Sequence, residues 1–396
     1  MVIDFIVQYK WIFLFYLLLA GFLFVRRKRI VTQGKVIMLY RTVFGIRFIE
    51  KFSERFREWV VLFGIIGIGV GFIGMIVISV MMVFGLVQLF ISPASQPGVS
   101  LVLPGVEVPG LGVLPFWHWL ASIFVIAVIH EFSHGIVAHA HHLKVKFTGL
   151  VVLGPIIGAF VEPDEEHLVK ADDVVQHSVY AAGAFSNILL AILALVILNF
   201  LFFPLHSAIT DSTGFSFSSY TNESLPFAQA GVPVGSVITG IGNTSVTNFQ
   251  EFADELSYYD PGDTISVQTS TGVFDVTFAS HPDNSRKPFL GISGIVNEFT
   301  LDQRFNTALG RAADYVLEWF TGLKNNGRGF FFWLYVLSFG IGLFNLLPLP
   351  IVDGGRMAQT FLKRLCGNEK GLRVASKISM FFLLVLVLSF VIPYLL

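Results

Sequence analysis

The residues best suited to chemistry are His130, Glu131 and His134, which stand together as His130-Glu131-Phe132-Ser133-His134. Two residues four apart on a helix lie on one face, so both imidazoles can reach a single Zn2+. Glu131, beside them, is placed to take a proton from a water activated by that ion. An HExxH pattern also arises by chance, so its setting matters. Here it falls inside an apolar run, where ionisable groups are costly and usually functional. A merely structural polar cluster would need a buried partner for each of the three groups.

Zinc in a catalytic site takes three protein ligands and keeps one position open. The third ligand must come from elsewhere, and Asn345-Leu346-Leu347-Pro348-Leu349-Pro350-Ile351-Val352-Asp353-Gly354-Gly355 offers a candidate in Asp353. Its two prolines interrupt a helix, and Gly354 and Gly355 permit backbone angles that other residues avoid. Asp353 either turns inward as the third ligand or caps an ordinary helix start.

The elements that must position these groups are membrane helices. Of 396 residues, 54% are hydrophobic and 13% charged, against about 25% charged in soluble proteins. The mean hydropathy of +0.72 agrees. The expected fold is a polytopic α-helical membrane protein of about six spans. These run roughly over Lys10–Val25, Trp59–Ile91, Phe116–His142, Ser178–Phe203, Phe330–Leu347 and Ile378–Leu396. The second contains no polar turn, only Gly64, Gly67, Gly71 and Gly74. One long tilted helix packed through small residues fits it better than two spans. The fifth runs into Pro348 and Pro350 and is a broken helix. The cluster Arg26, Arg27, Lys28, Arg29 follows the first apolar run rather than preceding it, so that run reads as a retained span, not a cleaved signal. A net charge of -1 and the lack of a basic run with interleaved aromatics give no sign of a nucleic-acid partner, and none is expected. The single cysteine, Cys366, excludes an intrachain disulfide and a cysteine-based metal site.

Basic residues set the orientation. Arg26 to Arg57 is rich in them, Lys35 included, and belongs in the cytoplasm. Ser92–Pro115 has none and belongs outside. Lys144, Lys146 and Lys170, and later Arg356, Lys363, Arg364, Lys370, Arg373 and Lys377, mark returns to the cytoplasm. Both termini are then extracytoplasmic. The chain divides into an N-terminal membrane region (1–205), an inserted soluble domain (206–306) and a C-terminal membrane region (307–396). The insert is rich in Ser, Thr, Asn, Asp and Gly. Thr264–Thr269 and Val273–Phe278 read as strands, Phe249–Tyr258 as a short helix, and Asp260-Pro261-Gly262 as a turn. The charge pattern places it outside.

Taken together, the chain resembles the site-2 proteases, a family of intramembrane zinc metalloproteases. The resemblance rests on His130–Gly135 (HExxHG), on Asn345–Gly355, and on Ala182-Gly183-Ala184-Phe185-Ser186-Asn187 opening the fourth span. All three stand in the family's order, and the family uses an insertion at the same place. Ala184 stands where proline is common, and Val352 where leucine is common. The resemblance implies that His130, His134 and Asp353 hold one zinc ion and that Glu131 is the general base. It implies hydrolysis of peptide bonds in or near transmembrane segments of membrane-anchored proteins. Asn187 would lie near the site, binding substrate backbone or a developing oxyanion, or else joining two helices. Asn345 would face substrate or tie down the broken helix.

Phe147–Val161 is apolar but punctuated by Gly149, Gly154 and Gly158, with Pro155 in its middle. It suits a membrane-embedded β-hairpin, an element the family carries after its HExxH helix. An edge strand there is expected to pair with unwound substrate; a structural plug is the alternative. The insert resembles a PDZ domain through Ala228–Ile238 and Ile241-Gly242-Asn243, with Ser236 where such proteases usually carry aspartate. It would meet a peptide or a substrate ectodomain. His139, His141 and His142 suit a helix C-terminus, and His118, His167, His177, His206 and His281 read as surface or interfacial residues. Two other readings compete. A metal transporter would want polar groups along a whole pathway, whereas those here collect at one level. A catalytically silent relative that binds membrane helices would be expected to lack the glutamate or a ligand, and all four groups are present.

Overall fold

The computed structural model describes residues 10–27, 30–33, 37–91, 102–108, 110–153, 156–282 and 284–392. Lys28, Arg29, Lys35, Gly154, Pro155, part of Ser92–Pro115 and the last residues of the sixth apolar run lie outside them. In chain order the elements are α1 (Lys10–Arg26), β1 (Ile30–Gln33), β2 (Ile37–Thr42), α2 (Ile46–Arg55), α3 (Arg57–Ile91), α4 (Phe116–Ala140), β3 (Val145–Leu153), β4 (Ile156–Pro163), α5 (Glu165–Lys170) and α6 (Asp173–Ile197). There follow β5 (Thr210–Ser216), β6 (Ile238–Ile241), α7 (Phe249–Leu256), β7 (Thr264–Thr269), β8 (Gly272–Thr277), β9 (Val296–Leu301) and α8 (Ala308–Thr321), then α9 (Phe330–Asn345), α10 (Asp353–Cys366) and α11 (Asn368–Val391). They form two compact units, residues 1–193 with 334–396, and residues 194–333.

Among the described residues, α3, α4, α11 and the helix that begins with α6 and continues to Ser207 are long and apolar enough to cross a membrane. The apolar helices α1, with 17 residues, and α9, with 16, are shorter. α3 is one unbroken helix of 35 residues. Its Gly64, Gly67, Gly71 and Gly74 are buried, while Ile65, Ile73, Ile76, Val80 and Phe84 are exposed. Lipid offers apolar side chains nothing to escape from, so close van der Waals packing must hold such helices together. A Cβ at Gly64 would come within 3.0 Å of Ser178 on α6, and one at Gly71 within 2.8 Å of Met357 on α10. The glycine stripe is thus the seam on which α6 and α10 lie. Around it Val137, Ala138, Val179, Ala181, Ala182, Ala184, Leu346 and Met357 form the core.

The segment after α4 is more than a hairpin. β3 and β4 pair antiparallel, with Thr148 opposite Val161 and Leu150 opposite Ala159. β2 pairs with the other side of β3, Tyr40 facing Leu150, and β1 completes a four-stranded sheet in the order β1-β2-β3-β4. Both added strands lie in the stretch read above as a basic cytoplasmic loop. Ile37-Met38-Leu39-Tyr40 has strand-forming residues, but the flanking Lys and Arg dominate its composition.

The second unit is built on an antiparallel sheet in the order β8-β7-β6-β5-β9. Phe215, Phe217, Phe227, Ile238, Ile241, Phe252, Val267 and Val276 fill its core. α7 starts at Asn248, whose side chain accepts the Glu251 N–H at 2.9 Å, a normal N-cap. His206 differs from its sequence reading: it is fully buried. Its Nε2 lies 2.9 Å from Asp314 Oδ1 and its Nδ1 2.8 Å from Thr321 Oγ1. Lys324 Nζ donates to the other Asp314 oxygen at 2.8 Å. Its partners lie over a hundred residues away along the chain, so no local pattern reveals them.

Candidate metal centre

α4 carries the HExxH residues, and its geometry does what the spacing requires. His130 and His134 sit one turn apart with their Nε2 atoms separated by 3.1 Å. Asp353 Oδ2 lies 3.2 Å from His130 Nε2 and 3.4 Å from His134 Nε2. Each of the three offers one ligand atom, all within 4.8 Å of one another. Bonds of about 2.0–2.1 Å in tetrahedral geometry put ligand atoms about 3.3 Å apart. The observed separations of 3.1–3.4 Å therefore suit a zinc ion.

The surroundings fit the same ion. His134 Nδ1 donates to the Val179 carbonyl at 2.7 Å, which leaves the lone pair on Nε2. Asp353 Oδ2 is buried without a hydrogen-bond partner, a costly state for a carboxylate oxygen that a cation would relieve. His130 Nδ1 lies 3.1 Å from the side-chain amide of Asn187, which is buried with Oδ1 left unpartnered. A metal-binding His130 must carry its hydrogen on Nδ1, and that hydrogen needs an acceptor. Exchanging the amide oxygen and nitrogen of Asn187 supplies one.

α6 presses its small-residue segment onto the two imidazoles. A Cβ at Gly183 would lie 2.6 Å from His130 Nε2 and fall on His134 Nε2 as well. The glycine thus keeps open the space where an ion would sit. Its φ is ordinary, so close approach, not a special backbone angle, demands it.

Asp353 lies against the two histidines, with two differences from the sequence reading. Asp353 opens α10 after the irregular 346–352 stretch, but the N-cap is Val352 and no side chain caps the helix. Capping is therefore not what Asp353 does here. Gly354 and Gly355 do not adopt left-handed angles either. They are helical, and Cβ atoms there would strike the carbonyls of Leu346 and Leu349. The pair is small so that the first turn of α10 can pack against the backbone that precedes it.

Glu131 accepts the Val161 N–H at 3.1 Å through Oε2. Together with Asn187, Asn345, Asp353 and Val161 it lines a cavity of about 840 Å3, within the usual range for ligand clefts. Arg356, also on its wall, pairs with Glu165 at 3.3 Å and lies over the Tyr180 ring. All six site residues singled out in the sequence thus meet in one place, Asn345 as a wall residue. The contributions of Val161 and Val179 were not read from the sequence, because both act through backbone atoms.

The chain matches the model of peptidase family M50 over residues 118–387, about two thirds of its length and inclusive of every residue just described. An uncharacterized protein of Methanocaldococcus jannaschii is 25% identical over 352 residues, covering 88% of this chain and 83% of that one. The zinc metalloprotease RasP of Shouchella clausii is 26% identical over 255 residues, covering 53% of this chain and 58% of that protein. Among solved structures, the PDZ domain of the SdrC-like protein from Listeria monocytogenes shares 24% identity over 20% of this chain and 85% of that one, with a TM-score of 0.18.

Proposed function

We propose, from the premise that this chain belongs to peptidase family M50, the site-2 protease family, that it is an intramembrane zinc metalloprotease. Its substrates would be membrane-anchored proteins, cut in or beside a transmembrane segment in the course of regulated intramembrane proteolysis. The observation that carries the reading is the convergence of His130 Nε2, His134 Nε2 and Asp353 Oδ2 at zinc-ligand spacing beside Glu131. These three residues would hold one Zn2+ per chain. Zinc in such a site supplies Lewis acidity. Glu131 takes a proton from the attacking water as its oxygen bonds to the scissile carbonyl carbon. It then delivers that proton to the amide nitrogen as the carbon–nitrogen bond breaks. Asn187 keeps the His130 ring oriented, and Asn345 faces the bound backbone.

A protease acts on extended chain, whereas a membrane helix hides its carbonyls. β4 is the edge of its sheet among the described residues, and an unwound substrate adds to it as a strand. In this reading α1 and α9 join the four longer helices as spans, six in all, with the β1–β4 sheet at membrane depth facing a cavity. The loop charges place both termini and the 206–306 insert outside the cell membrane. The insert acts as a PDZ-like module that meets a peptide or the substrate ectodomain.

The test is cleavage of a single-span model substrate by the purified protein in detergent, with the cut located by mass spectrometry. A cut within the substrate's membrane segment, abolished by a chelator and restored by zinc, supports the reading. Stoichiometric zinc with no cleavage across a broad substrate panel would shift the reading to a helix-binding protein. No zinc binding at all would refute the ligand assignment.

A further inference from the structure

The geometry points to the backbone N–H of Val161 as a positioning group for Glu131, so that the strand which docks substrate also orients the base. The inference rests on the protease reading above and concerns how its two parts are joined. Val161 N–H donates to Glu131 Oε2 at 3.1 Å. In an antiparallel ladder alternate residues turn their N–H and C=O toward the partner strand and away from it. Val161, opposite Thr148, turns its N–H away from β3 and toward α4. By the same alternation Ala159 and Ile157 present their polar atoms to the open side of β4. The row of edge groups open to an added strand therefore ends at Glu131. A substrate strand paired at Ala159 runs into the base at the next outward position, so register along β4 and position relative to Glu131 are set together.

Close approach of strand and helix is what makes this bond possible, and Gly135 permits it. A Cβ at Gly135 would come within 2.8 Å of Val161 Cγ1 and 3.1 Å of Ile49 Cδ1. Gly135 follows directly on His134, one turn along α4 from Glu131. Any side chain there would push β4 outward and lengthen the bond to the carboxylate. Ile49, on α2, backs the same spot and is fully buried, so β4 has no slack to take up the displacement sideways.

The experiment uses the full chain in detergent, saturated with zinc, and measures kcat and KM on a single-span substrate. Bound zinc is counted for every variant. Val161→Pro removes the N–H, which does not belong to the ladder, so the edge can accept the ring. Val161→Ala keeps the N–H and serves as its reference. We expect Val161→Pro to fall at least about tenfold below Val161→Ala in kcat, with KM within about threefold, since a misplaced base slows chemistry and not docking. Ala159→Pro removes an edge donor that does not touch Glu131 and should act mainly on KM. If Val161→Pro fails to bind zinc, the decision passes to Gly135→Ala. That variant should lose kcat and regain part of it in the double variant Gly135→Ala/Val161→Ala, where Cγ1 is gone. Equal kcat for Val161→Pro and Val161→Ala, an effect on KM alone, or no recovery in the double variant would overturn the inference. A wild-type protein that cuts no better than Glu131→Gln would overturn the protease reading instead.

Discussion

At the scale of single residues, the site is a set of side chains whose free lone pairs converge. Glu131 supplies none of the three ligand atoms. Glu131→Gln should lower cleavage by about 10²–10⁴-fold while zinc remains at one per chain by atomic absorption. Asn187 is a different case, since it touches His130 and not the ligand space. Removing such an orienting partner costs about 10–100-fold in metal affinity. Asn187→Ala should therefore release zinc to weaker chelators than wild type does, and Asn187→Asp should hold it better than Asn187→Ala. Gly183 allows the sharpest test. A methyl group there occupies ligand space, so Gly183→Ala should fold and yet bind less than stoichiometric zinc. The HExxH chemistry was legible because its two histidines and its glutamate are local. The acceptor for His130 was not, because Asn187 is 57 positions away and its role depends on how α6 crosses α4.

At the scale of elements, glycines determine how closely backbones meet. Gly64, Gly67 and Gly71 carry α6 and α10 on α3, Gly74 meets Leu343 and Leu346 at the end of α9, and Gly354 and Gly355 seat the first turn of α10. A Cβ at Gly354 would strike the Leu346 and Leu347 carbonyls, which belong to backbone and cannot rotate away. Overpacking of this kind costs about 1–3 kcal/mol, occasionally more. Gly354→Ala should lower the melting temperature and also weaken zinc binding, because Asp353 is the neighbouring residue. A loss of stability with zinc affinity intact would mean that α10 can shift without moving its carboxylate. The positions of these glycines are plain in the sequence. Their reason is not, since small residues serve both left-handed turns and close contacts, and only the φ angles distinguish the two.

At the scale of the whole molecule, orientation is the open quantity that a simple measurement settles. Cys366 is the one cysteine in the chain, and it is exposed at the end of α10. In the topology proposed above, the basic residues around it put that end in the cytoplasm. A membrane-impermeant maleimide should label Cys366 in inverted membrane vesicles and leave it unlabelled in intact cells. Labelling from outside would invert the proposed topology, the 206–306 insert included.

By itself the sequence determined that the chain belongs in a membrane, which two histidines could share a zinc ion, and which glutamate stands beside them. Composition, apolar run length and the i, i+4 spacing are properties of local stretches, and they survive any arrangement of the helices. Tertiary structure decided what depends on distance between separated segments. It joined β1 and β2 to the hairpin, although their basic flanks read as loop. It showed that Asp353 faces the histidines and does not cap its helix. It placed Asn187 against an imidazole, and it buried His206 between Asp314 and Thr321. It brought the Val161 amide to Glu131 as well, a contact no residue pattern encodes, because every amino acid except proline carries the same N–H.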